Sequence, residues 1–354
     1  MKVLQIGCLP PPPGGVSVHV ARLAHYLSIR GHQVTVVETV DRHLRKRAPP
    51  GVPCYTRLGI LSGLHAPSLA RDLFQANLIH LHTSASAGLA RERTLLRVLT
   101  VFHKPVVWTV HGGAFVQIIS QREHANNFRD AARYAKCVVF VNERQKTAAE
   151  ATLGDKPGTN MLVIPAFIPP PDAPSDPPPA PRPRPGEPFR VLAMGSWMPT
   201  YGFDLALDAL AKLQDVNVRL TLLAYDFGYA DASWRSIHLA RARDARLEAR
   251  FTEEWARRDV GMLYRTHHAF LRPTRTDGDA VSVREAMCFG LPVIASDAAP
   301  RPQGCLLHKA NNAQSLADCL RALILSNGNT FSRPLEGADR FAARIVSLYH
   351  ELMR

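Results

Sequence analysis

The chain has 354 residues, of which 46% are hydrophobic and 21% charged, and its formal net charge is +13. That length is about two domains' worth, and the apolar share is enough to fill real cores, which excludes a chain disordered throughout. No stretch approaches ~18 uninterrupted apolar residues, which excludes a helical membrane span. Pro10 to Pro13 interrupt the first apolar segment before a secretory core can form, so the expectation is a cytoplasmic protein.

From the amino terminus, Val3–Gly7 reads as a strand, followed by a loop and a helix from about Val16 to Arg30. Val34–Val37, Leu78–Leu81, Val106–Val110 and Cys137–Val141 read as further strands, each short, apolar and nearly continuous, as strands buried on both faces should be. Helical segments such as Thr94–Phe102 and Phe128–Tyr134 lie between them, which predicts a parallel sheet with right-handed crossovers. Residues 165–188 contain 12 prolines in 24 positions. Each proline fixes φ and removes a donor, so this stretch is an extended connector and a domain boundary. The pattern then restarts. Arg190–Met194 is a strand, Phe203–Lys212 a helix, and Arg219–Ala224, Ala269–Arg272 and Val293–Ala295 are strands. An amphipathic helix through Phe341, Ile345, Leu348 and Leu352 follows. The expected domains are 1–166, a linker at 167–188, a second domain at 189–338 and the last helix at 339–354. Both domains are Rossmann-like α/β units, expected to face each other across a cleft at the carboxyl ends of their strands.

The charge is uneven. Residues 1–166 hold 20 Lys and Arg against 9 Asp and Glu, whereas residues 167–354 hold 23 against 21. A basic first half points to a polyanionic neighbour such as an anionic bilayer or a phospholipid-like substrate, or is simply a solvated arginine-rich surface. The arginines are dispersed, without aromatic interleaving, so no nucleic-acid partner is expected. Six cysteines without a Cys-x-x-Cys pair fit reduced thiols, not a disulfide frame or a zinc site. The fifteen histidines do not gather at ligand spacing, although His80 and His82 share one face of a strand, while His267 and His268 point apart. Neither a metal nor a cofactor is expected.

The segment with most chemical content runs from Arg272 to Ser296. A strand ends at Arg272, a polar loop follows, and a helix begins near Asp279 and ends at Gly290. Asp277-Gly278-Asp279 then places backbone amides at the helix start, an anion or hydroxyl site, with Glu285 about two turns deeper. The alternative is plain capping by Asp277 or Asp279, with Glu285 an ordinary helical acid. Gly14-Gly15 follows the first strand, where it permits close backbone approach to a ligand, and His111-Gly112-Gly113 ends another strand. A histidine at a sheet's carboxyl edge can hydrogen-bond a bound sugar, although a lone one is more often structural. The Gly-x-Gly-x-x-Gly of dinucleotide enzymes is absent.

These segments resemble the family-4 retaining glycosyltransferases of GT-B fold. The family carries Glu, seven residues, then Glu-Ala, small residues and Gly-x-Pro-Val, which aligns with Asp277 through Glu285-Ala286 to Gly290-Leu-Pro-Val293. The opening from Cys8 through Gly14-Gly15 to Gly31-His-Gln-Val34 is similar as well. The resemblance implies that Glu285 holds the nucleotide ribose and that Asp277 contacts the transferred sugar. It further implies that the amides of Gly278, Asp279, Ala280 and Val281 hold sugar or phosphate, and that His111 contacts the sugar near the reacting carbon. It departs at Gly195-Ser196-x-x-x-x-Tyr201-Gly202, where the family commonly has Arg and Lys at the positions of Ser196 and Tyr201 to neutralise the leaving diphosphate. A departing diphosphate needs compensating charge. Arg272 and Arg275 are the preferred replacements, with Arg284 and Arg301 also near. The implied function is hexosyl transfer, with retention and without metal, from a nucleotide sugar to a glycan, lipid-linked or small-molecule acceptor hydroxyl. An anionic membrane surface is a further expected partner, giving a peripheral location at its inner face. The alternative is a degenerate GT-B protein that binds sugar nucleotide or glycan without catalysis.

Overall fold

The computed structural model describes residues 1–11, 13–40, 48–84, 89–154, 159–176, 178–225, 231–255, 260–326 and 339–354. The chain divides into two units, Met1–Ile168 with Gly337–Arg354, and Pro169–Glu336. The proline-rich connector from residue 169 onward therefore belongs to the second unit. The last helix belongs to the first, and the expected domain end at 338 lies outside the described residues.

Seven strands of the first unit are β1 Lys2–Gly7, β2 Gln33–Glu38, β3 Cys54–Tyr55, β4 Leu78–Thr83, β5 Val106–Val110, β6 Cys137–Phe140 and β7 Asn160–Val163, in the order β3-β2-β1-β4-β5-β6-β7. All pairs are parallel. Alternation sends Val3, Leu78 and Val107 to one face, against Val20, Leu23 and Leu27 of the helix Gly15–Ser28. Leu4, Ile79, Leu81, Trp108 and Val110 face the other side, against Leu96 and Phe128. The helix Arg340–Leu352 completes the first of these cores by burying Ile345, Leu348 and Tyr349. Each such side chain contributes about 1.5–3 kcal/mol of burial.

The second unit has β8 Phe189–Gly195, β9 Val218–Ala224, β10 Phe251–Trp255, β11 Ala269–Arg272, β12 Val293–Ser296 and β13 Leu306–His308, in the order β10-β9-β8-β11-β12-β13, again all parallel. Val191, Leu220, Leu271 and Ile294 pack on the helices Phe203–Ala211 and Ala313–Leu325. Leu192, Phe270 and Val293 pack on Tyr264, Val283 and Phe289. The strands β3, β7, β10 and β13 add to those expected from the sequence, and the helix expected from Asp279 begins at Val281. No helix among the described residues is long and apolar enough to cross a membrane.

Candidate functional site

Because the six described strands of the second unit are parallel, the loops after β8, β11 and β12 leave the sheet at one edge. Arg272, the last residue of β11, donates to both oxygens of Asp277 at 2.9 and 3.3 Å and to the Met194 carbonyl at 3.1 Å. Arg301, beyond β12, donates to Asp277 Oδ2 at 2.9 Å, to Thr274 Oγ1 at 3.0 Å and to the Ser296 carbonyl at 2.9 Å. The side chains of Asp277 and Arg301 are only 9% and 2% exposed. Burial alone would push the Asp277 carboxyl up, but the two guanidiniums overcome it and hold the group well below the usual carboxylate range. Two cations share one anion here, leaving one net positive charge in a nearly dry place.

Arg275 behaves differently. It clasps Asp204 with two bonds of 2.9 and 2.6 Å and donates to Asn311, so it ties the loop to the helix Phe203–Ala211. Arg301, not Arg275, is the second cation beside Arg272. Arg284 Nε reaches both oxygens of Asp279 at 2.9 and 3.1 Å, and burial, opposed by Arg284, raises that carboxyl. The helix Val281–Cys288 has Ala280 at its N-cap and no side-chain cap, so neither aspartate caps it. The Gly278 amide donates to Asp277 Oδ1 at 3.2 Å. One turn into the helix, buried Glu285 accepts from the Tyr264 hydroxyl at 2.8 Å. Burial, with the Glu285 charge second, pushes the Tyr225 hydroxyl up, so it stays neutral.

Ser196 and Tyr201 lie next to this cluster. Ser196 is fully buried and its Oγ has no hydrogen-bond partner among the described residues. The Tyr201 ring occupies the space a Cβ on Gly195 would take, 2.6 Å away, and the Arg272 guanidinium lies 5.4 Å from its centroid. Gly202 has φ +71°, and a Cβ there would stand 2.0 Å from the Pro273 carbonyl oxygen. Only glycine meets both conditions.

In the first unit, Gly14 caps the helix Gly15–Ser28 in an extended conformation, bonded through its amide to Ser17 Oγ at 2.9 Å. Neither Gly14 nor Gly15 has a positive φ. His111 follows β5 and takes its place through a backbone bond to Thr83 at 2.8 Å. The next residue must be glycine, since a Cβ on Gly112 would sit 1.7 Å from the Ser84 carbonyl oxygen. His111 Nε2 lies 3.1 Å from His82 Nδ1, and the His19 ring is 5.1 Å from the His111 ring. The His80 ring lies tilted 3.9 Å from the His82 ring and is held by Tyr349 Oη at 2.5 Å and Thr109 Oγ1 at 2.7 Å. Burial lowers all four imidazoles, His19 to about 4 and the others well below their ordinary value, so they are neutral at pH 7.

The structure thus gathers Ser196, Tyr201, Arg272, Gly278 to Val281, Asp277 and Glu285 at one edge of the second unit, and Gly14, Gly15 and His111 at one edge of the first. Sequence reasoning missed Tyr264, Tyr225 and the convergence of His19 and His82 on His111. No local spacing signals that convergence, because the three residues come from three different elements. A cavity of about 500 Å³ lies elsewhere, at the amino ends of β1 and β2, lined by residues such as His32, Thr35 and Asp72.

Both parallel α/β units match glycosyltransferase families. Residues 13–172 match the Glycosyltransferase Family 4 profile, and residues 188–326 match Glycosyl transferases group 1. The fold is similar to that of sucrose-phosphate synthase from Thermosynechococcus elongatus, with TM-score 0.74 and 18% identity over 99% of this chain and 98% of that one. It is also similar to Anabaena HepE in its complex with UDP-glucose, with TM-score 0.68 and 17% identity over 99% and 98%. WaaG, a glycosyltransferase involved in lipopolysaccharide biosynthesis, gives TM-score 0.69 and 14% identity over 99% of each chain. An uncharacterized glycosyltransferase of Haemophilus influenzae is 29% identical over 125 residues, which span 34% of this chain and 33% of that protein. The chain belongs to the family-4 glycosyltransferases of GT-B fold.

Proposed function

We propose that the chain is a retaining hexosyltransferase that takes its sugar from a nucleotide-sugar donor and needs no metal for the transfer. The observation that carries this reading is the Asp277 carboxylate buried between Arg272 and Arg301, in the loop just before the helix that carries Glu285. Its one uncompensated positive charge suits a leaving diphosphate, whose stabilisation is usually the largest catalytic term. Arg272 and Arg301 then do the work that Ser196 and Tyr201 cannot. Glu285, oriented by Tyr264, accepts from the ribose hydroxyls. Asp277 and the amides of Gly278 to Val281 face the sugar, and His111 contributes a neutral hydrogen bond near the reacting carbon. In the step itself, the bond from the anomeric carbon to the phosphate oxygen breaks. The acceptor oxygen bonds to that carbon from the same face, and the acceptor proton passes to the leaving phosphate. The products are the glycoside and the nucleoside diphosphate.

The acceptor in this reading is a glycan or a lipid-linked saccharide. The basic first half supports contact with an anionic bilayer, and the same half carries exposed apolar side chains, Phe74 and Val101, 64% and 67% exposed. Flotation with anionic but not neutral liposomes is the expected result, and equal flotation with both refutes the contact.

Thermal-shift titration with UDP, GDP, ADP and TDP and their sugar conjugates, in chelator, identifies the donor. A ligand at 100 times its dissociation constant adds about 2.7 kcal/mol. Asp277→Ala and Glu285→Ala should each lower kcat/KM at least about 100-fold, and the anomeric configuration of the product should match the donor. Unchanged turnover in both variants refutes the site. The fully buried Ser196, where the family has a cation, favours one second reading, a binding protein without catalysis. Nucleotide-sugar binding with no transfer to any acceptor in a broad screen establishes it.

A further inference from the structure

We propose that His19, His82 and His111 form a binding site for one divalent transition-metal ion of the zinc class, and that the ion inhibits by engaging His111. One ring nitrogen from each of the three lies within 4.8 Å of the others. Tetrahedral zinc at about 2.0–2.1 Å from nitrogen spaces its ligands roughly 3.4 Å apart, so the rings close by about an ångström. The three come from the helix Gly15–Ser28, from β4 and from the turn after β5, rigid elements that fix the ring positions.

A second observation points the same way. His19 Nδ1 and His82 Nε2 have no hydrogen-bond partner among the described residues, and the two residues are only 2% and 3% exposed. An unsatisfied buried polar atom is unfavourable, and a metal bond to such a nitrogen would recover the loss. The donor set contains no carboxylate, so it selects zinc, copper, nickel or cobalt over magnesium, calcium or manganese. His80, braced by Tyr349 and Thr109, packs on the His82 ring and limits its rotation. Three protein ligands leave the fourth position to water or an anion.

Metal binding stands on the cluster alone, whereas the inhibitory consequence rests on the transferase reading and on the sugar contact assigned to His111. Calorimetric titration of the full-length protein with Zn²⁺, and of the cobalt form by visible absorption, tests them separately. The expected result is one tight equivalent with a tetrahedral cobalt spectrum free of thiolate charge-transfer bands. His82→Asn and His19→Gln, which keep a polar side chain of similar bulk, should each weaken binding at least about 100-fold, beyond the loss usual for a supporting residue. His103→Asn, at an exposed positive-φ position, should bind as the wild type does. Absence of a tight site, a thiolate spectrum, or undiminished binding in His82→Asn overturns the proposal. Zinc should abolish sugar transfer and chelator restore it. Full activity of the zinc-loaded protein overturns the inhibitory role and leaves the transferase reading intact. A protein that binds zinc but transfers no sugar with or without it refutes the transferase reading and not the site.

Discussion

Replacing Arg301 by methionine tests the charge cluster of the second unit most directly. The side chain makes four hydrogen bonds of 2.9–3.2 Å, to Asp277, Thr274 and both the carbonyl and hydroxyl of Ser296. Methionine keeps most of the volume and removes all four. Breaking a buried ion pair outright costs about 3–5 kcal/mol, and the surviving Arg272 contact places this case at the low end, about 3 kcal/mol. For a unit of this size, 1 kcal/mol lowers Tm by about 2–4 °C, so the second unit should melt roughly 6–12 °C earlier. The effect has a pH signature. The Asp277 carboxyl is depressed in the folded protein, so it adds stability above the ordinary carboxylate pKa of about 3.9 and loses it as pH falls below that value. With one guanidinium gone the depression shrinks, and so does the acid-dependent loss. Urea unfolding at pH 7 should separate wild type and Arg301→Met by the full difference, and unfolding near pH 3 by less. A difference under about 1 kcal/mol at pH 7, or one that does not change with pH, refutes the cluster as described.

Other perturbations have equally definite outcomes. Tyr349→Phe removes the buried partner of His80 Nδ1 and should cost about 1–3 kcal/mol in denaturant unfolding of the first unit. Gly202→Ala combines a left-handed backbone, about 1–2 kcal/mol for a residue with a Cβ, with a collision against the Pro273 carbonyl. It should destabilise the second unit and weaken nucleotide binding together, as thermal melts with and without the nucleotide will show. Tyr264→Phe frees one oxygen of Glu285 from its 2.8 Å donor. It should raise the calorimetric Kd of the nucleotide roughly 3–10-fold, about 0.5–1.5 kcal/mol, while Tm falls by no more than a few degrees.

Much of the fold was legible because continuous apolar runs such as Val106–Val110 and Val293–Ala295 are what strands covered on both faces require. The strands that went unread lie at or near sheet edges and carry less of that signal. β10 reads Phe-Thr-Glu-Glu-Trp, and β3 and β13 are only two and three residues long. The helix Arg122–Ala132 is legible only from Phe128 because its first half, Arg-Glu-His-Ala-Asn-Asn, is almost wholly polar. At the candidate site, proximity in sequence misled. Arg275 is two residues from Asp277 yet turns to Asp204, while Arg301, twenty-four residues on, lies against Asp277. Neighbouring parallel strands deliver their following loops to the same edge, so β11 and β12 bring 277 and 301 together. The same geometry at β4 and β5 assembles His82 and His111, and it has no one-dimensional trace.

The return of the helix Arg340–Leu352 to the first unit has a consequence for biosynthesis. A ribosome completes the whole of residues 169–336 before it makes the segment that fills the core beside Leu23 and Val107 and gives His80 its tyrosine partner. The first unit must therefore wait with an open apolar groove while the second emerges and folds. Folding runs against the order of translation, and a nascent chain stalled anywhere within the second unit is a natural client for chaperones that bind exposed apolar surface.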